Sequence, residues 1–203
     1  ATATAKAFER QAIEVAMIGV PASSAFDKPS AKKTTSNQIL INQLLQDSYR
    51  PFGEGECLDV FTHYAALECL KTKQPKVLYI GYGETDEWAH EGRYKDYLNA
   101  AHMVDKWISD IWTYIQSDPV YKNKTMLFIT TDHGRGDLIK KEWTSHGSGI
   151  AGANQIWFAA MGPNIKARGE IKTSMQLFQE QFAQTMAASL GLVFKCEHPT
   201  GKK

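Results

Sequence analysis

The chain has 203 residues, 43% of them hydrophobic, and its basic and acidic side chains nearly cancel to a formal charge of +1. That is apolar material for one large domain or two small ones. The balanced charge, with no long basic block, excludes the electrostatic footprint of a nucleic-acid binder.

No apolar run approaches the roughly 20 residues of a membrane helix, so no transmembrane segment is expected. In chain order, AIEVAMIGV (residues 12–20) reads as a strand closed by Pro21, and a polar Ser- and Lys-rich loop follows. Residues 37–47 carry Ile39, Leu40, Leu44 and Leu45 at helical spacing, and residues 58–71 form a second helical pattern. KVLYIGY (residues 76–82) is a short apolar run of buried-strand type. Residues 94–116 place Leu98, Ala101, Val104, Ile108, Ile111 and Ile115 on a helix. TMLFITT (residues 125–131) and QIWFAAMG (residues 155–162) read as further strands, and a final helix over about 173–190 ends at Gly191. Strands alternating with helices predict an α/β layer structure with a mostly parallel sheet flanked by helices.

In such sheets ligands sit beyond the carboxyl ends of the strands. Three places there carry chemistry. GETDEWAH holds Asp86 and His90 four apart, on one face if the segment is helical. TTDHGRG holds Asp132 and His133 as neighbours, which can share an ion only where the chain bends, and Gly134 and Gly136 permit a bend. TSHGSG adds His146 in a loop. Mixed carboxylate and imidazole donors suit zinc, manganese or iron. Each residue has a plainer reading: Asp86 as a helix cap, Asp132 as a turn residue, His146 as a surface loop residue. The conjunction of three signals at strand ends favours the metal. His63 and His102 lie in helical patterns and read as helix-surface or hydrogen-bonded residues, and His198 as a solvated tail residue. Cys57, Cys69 and Cys196, odd in number and widely spaced, indicate neither a disulfide framework nor a thiolate zinc site.

GYGETDEWAH, TTDHGRG and SHGSG, in that order, resemble the alkaline phosphatase superfamily of phosphatases, phosphodiesterases, sulfatases and phosphomutases, over roughly residues 76–191. The resemblance implies an alkaline-phosphatase-like fold and two divalent metal ions, zinc or manganese, clamping a phosphorylated or sulfated small-molecule substrate. It gives Asp86, His90 and His146 to one ion, and Asp132 and His133 to the other. Arg135, beside the pair, would contact a substrate oxyanion or salt-bridge a neighbouring acid.

The superfamily's upstream aspartate and Ser or Thr nucleophile have no clear counterpart. Asp27 with Thr34, Thr35 and Ser36 is a poor match. Residues 1–203 therefore read as the C-terminal portion of a single domain whose nucleophile-bearing part lies upstream. A non-catalytic homologue is the competing reading. A periplasmic or secreted location would follow if a signal peptide preceded the chain. Oligomeric state is open.

Overall fold

The strongest periodic signals become the longest elements. The computed structural model describes residues 15–18, 35–53, 57–137, 141–173 and 176–195. Its elements in chain order are β1 (Val15–Ile18), α1 (Ser36–Asp47), α2 (Asp59–Lys73), β2 (Val77–Ile80), α3 (Glu84–His90) and α4 (Tyr94–Ser117), then β3 (Leu127–Thr130), a 3-10 turn (Glu142–Thr144), β4 (Phe158–Met161), a second 3-10 turn (Gln179–Gln181) and α5 (Phe182–Ser189). No helix among the described residues is long and apolar enough to cross a membrane.

The expected alkaline-phosphatase-like α/β fold with a mostly parallel sheet is overturned. Among the described residues helix predominates, and the strands form two separate two-stranded sheets, β1 with β2 in parallel and β3 with β4 antiparallel. The connections explain the difference. A parallel neighbour needs a long crossover, commonly helical. The chain from β1 to β2 contains α1 and α2 and returns parallel, whereas the chain from β3 to β4 holds, among its described residues, only a 3-10 turn and comes back antiparallel. Strands of four residues bury little, so helices supply most of the buried apolar side chains.

The chain divides into two compact units, Ala1–Tyr82 with Thr173–Lys203, and Gly83–Lys172. In the first, Thr35 caps α1. Its hydroxyl accepts from the Gln38 backbone N–H while the Gln38 side chain accepts from the Thr35 N–H, a reciprocal capping box. That pairing lets Gln38 be buried, and the inward face of α1 runs through Gln38, Ile41 and Leu45. Ile39, Leu40 and Leu44, expected on the buried face, are exposed. Ala65, Ala66 and Cys69 of α2 pack with Ile41, Leu78 and Ile80. Glu68 is also buried, accepting from the Thr35 hydroxyl at 2.6 Å and the Asn37 amide at 3.1 Å. Thr35 is thus a capping residue; Asp27 and Thr34 lie outside the described residues. His63 is buried, with Nδ1 3.3 Å from the Tyr82 hydroxyl. The final helix is shorter than the sequence suggests, but Gly191 closes it as expected at φ 73°, with the Leu192 N–H donating to the Ala187 carbonyl.

In the second unit α4 is a 24-residue amphipathic helix. Its buried stripe is Ala100, Trp107, Ile111 and Ile115, with Val104 and Ile108 half-buried beside it; Leu98 and Ala101 face out. α3 packs on α4, with Ala89 fully buried. β3 pairs Leu127 with Met161 through Thr130 with Phe158, so the loop between the strands starts and ends at one place.

Candidate metal centre

The second unit brings together three segments that are far apart in sequence. α3 presents Asp86 and His90 from one face, as the spacing of four requires. The segment after β3 carries His133, and the loop after the first 3-10 turn carries His146. Trp143 anchors that turn, packing edge-on against Tyr94 at 5.3 Å and against Tyr97 at 6.0 Å, both in the first turn of α4. These aromatic contacts position His146 and were not foreseen; the sequence signal was Trp143 three residues before a ligand and Tyr94 and Tyr97 three apart on a helix.

Gly134 and Gly136 act otherwise than expected. Neither has a positive φ. What they supply is close approach. A Cβ on Gly134 would strike the carbonyl oxygens of Gln155 and Gly152, and one on Gly136 would strike Glu142. Their N–H groups donate to the Ala153 carbonyl at 2.8 Å and the Ser145 carbonyl at 3.3 Å, tying the His133 segment to the His146 loop. The rings of His133 and His146 consequently stack, 3.8 Å between centroids and 15° from parallel.

The donor atoms of Asp86, His133 and His146 all lie within 4.8 Å of one another. Asp86 Oδ1 is 3.5 Å from His133 Nε2 and 3.6 Å from His146 Nε2. His90 joins from the other side, its Nε2 3.4 Å from Asp86 Oδ2 and 3.0 Å from His146 Nε2. Donors bound at the roughly 2.0–2.1 Å of a zinc–nitrogen bond stand about 3.3 Å apart along the edges of a tetrahedron. The observed separations bracket that edge. The side chains are part-exposed, 35% for Asp86, 24% for His133 and 33% for His146, so the site opens to solvent.

The His133 tautomer is fixed by its neighbour. Nδ1 lies 2.9 Å from the Gly134 carbonyl, which can only accept, so Nδ1 carries a proton and Nε2, on the side of Asp86 and His146, is the nitrogen that could bind an ion. The triad can thus hold a single divalent ion.

Asp132 is more exposed than the other candidate ligands. Its side chain is 80% exposed, Oδ1 accepts from the His133 N–H at 3.0 Å, and the same oxygen is 3.7 Å from His133 Nε2. His133, grouped with Asp132 by its place in the sequence, thus lies beside Asp86 and His146 as well. Arg135 pairs with Asp86. Its Nη2 donates to Asp86 Oδ1 and, at 2.9 Å, to the Asp86 backbone carbonyl. Nη1 is buried and makes no hydrogen bond to the described residues.

A family model described as the metalloenzyme superfamily matches residues 58–192, about two-thirds of the chain. The chain belongs to the metalloenzyme superfamily. No match to a curated protein or to a solved structure is found. The convergence of Asp86, His133 and His146 is consistent with membership in the metalloenzyme superfamily, a class of metal-dependent enzymes wider than the alkaline phosphatases the motifs resemble.

Proposed function

We propose that this metalloenzyme-superfamily chain is the metal-binding portion of a metal-dependent phosphoester hydrolase or phosphoryl-transfer enzyme. The observation that carries the reading is the set of Asp86, His133 and His146 donor atoms, with His90 alongside, at the spacing of a coordination shell. One carboxylate among imidazoles suits zinc first and manganese second. Asp86, His133 and His146 would hold the ion with His90 adjacent, and the ion would polarise a phosphoryl oxygen and offset the charge that develops on it.

The chain's own residues set the conditions for that chemistry. Gly134 keeps the His133 Nε2 lone pair free by accepting from Nδ1. The part-exposed side chains leave the site open to a small phosphorylated or sulfated substrate. In the finer reading Asp132, exposed beside His133, contributes to a second ion, and the clamp of two metals on attacking and leaving oxygens follows. The hydroxyl of Thr35 is not available as a nucleophile, because it is spent on Glu68 and on the cap of α1.

Elemental analysis of the purified chain after zinc or manganese loading tests the metal. Bound ion in wild type and its loss in Asp86→Ala and His133→Ala are expected; wild type that retains neither metal overturns the reading. Hydrolysis of an aryl phosphate by the parent protein, lost in Asp86→Ala, tests the reaction. Turnover of aryl sulfate alone would move the substrate class to sulfate esters, and silence on phosphate monoesters, diesters and sulfates would leave a non-catalytic metal binder.

A further inference from the structure

Asp86 and His133 belong to segments 47 residues apart, and one side chain joins them directly. Arg135 reaches from the segment after β3 to α3 and donates through Nη2 both to the Asp86 carboxylate and to the Asp86 backbone carbonyl. Its side chain is only 14% exposed. The two bonds do different things. The bond to the carbonyl holds the helix against the loop, and the bond to Oδ1 fixes the rotation of the carboxylate, so that Oδ2 faces His90 while Oδ1 faces His133 and His146. A guanidinium can do both because its donors sit in a rigid fork; an ammonium is a single point.

We infer that Arg135 is the positioning residue of the metal centre, the clamp that sets Asp86 against His133 and His146 before any ion arrives. The inference rests on the reading that the triad holds a metal. A carboxylate oxygen has lone pairs for both a metal and an outer donor, so Arg135 keeps its bond when the ion binds. Outer partners of metal ligands are typically worth 10–100-fold in affinity. Nη1, buried without a partner among the described residues, marks an arginine retained at a desolvation cost.

The test uses the full 203-residue chain with wild type, Arg135→Met and Arg135→Lys. Cobalt(II) titration, followed by visible absorption, reads affinity and coordination geometry. Imidazole proton shifts of the metal-free protein read the stacking of His133 on His146. Thermal melting checks that each variant folds. Arg135→Met is expected to bind cobalt roughly 10–100-fold more weakly with altered bands, and to lose the ring-current shifts of the two histidines. Millimolar guanidinium added to Arg135→Met should restore both signals, and Arg135→Lys should recover only part. Cobalt affinity, bands and shifts unchanged in Arg135→Met would overturn the inference, as would tighter binding. Should wild type bind no cobalt, the metal reading fails, and the clamp is then decided by the metal-free histidine shifts: loss in Arg135→Met with guanidinium rescue sustains it, and no change sinks it. If Arg135→Met does not fold, Arg135→Gln takes its place in every measurement.

Discussion

His133 shows how one residue can be prepared for a metal by its immediate neighbour. The Gly134 carbonyl accepts from Nδ1, so the donor nitrogen is chosen locally, while the partners of Nε2 arrive from α3 and the His146 loop. The motifs themselves were legible in the sequence because residue type and position after a strand are enough to nominate Asp86, His90, Asp132, His133 and His146. How their segments meet was not. It depends on close approach at Gly134 and Gly136 and on the reach of Arg135, which are contacts through space. A contrast between neighbours follows. His146→Ala should weaken binding of zinc at the triad by more than the roughly 10–100-fold an outer partner is worth. Asp132→Asn should leave that ion in place and, on the two-metal reading, lower the bound metal by one ion per chain. Isothermal titration with elemental analysis checks both; an Asp132→Asn chain that loses the triad's ion would contradict the geometry.

At the scale of elements, periodicity located the long helices well and identified their inner faces less well. α4 is buried through Trp107, Ile111 and Ile115. α1 turns Gln38 inward, because a polar side chain satisfied by its own helix cap can be buried where a reading of hydrophobicity alone would place a leucine. Ile111→Ala in α4 should therefore cost about 2–5 kcal/mol. Ile39→Ala in α1, exposed in the structure, should stay within about 0.5 kcal/mol. Urea unfolding of the two variants measures the difference, and equal losses would mean that α1 is oriented otherwise. Thr35→Ala should cost about 1 kcal/mol for the cap, and more if the Glu68 carboxylate stays buried without its 2.6 Å donor. The direction of strand pairing was misjudged for a reason visible in the sequence. The connection after Thr131 has no helical pattern, and without a crossover the next strand cannot run parallel.

For the whole molecule, alkaline pH is the condition under which named groups make the fold lose stability. Burial, then the hydrogen bond and charge of Asp118, push the Tyr114 phenol up to about 12. Burial and then the charge of Asp59 raise Tyr82 further still. Above the ordinary value of 10.0 the unfolded chain loses these protons while the folded chain keeps them, so the native state binds more protons and stability falls as pH rises. Below about pH 9 neither phenol contributes an appreciable slope. Denaturant midpoints between pH 9 and 12 should decline more steeply for wild type than for Tyr114→Phe, and equal slopes would remove Tyr114 from the account.

The antiparallel pairing of β3 with β4 bears on what happens if the backbone is cut. The exposed turn Gly147–Ser148–Gly149 lies in the loop that these strands close. A protease nick there leaves β3 on one fragment and β4 on the other, held by the pairing of Leu127–Thr130 with Phe158–Met161 and by the Gly134 N–H bond to the Ala153 carbonyl. The nicked chain should migrate as one species in native electrophoresis and as two in denaturant, with Asp86, His133 and His146 all carried on the N-terminal fragment.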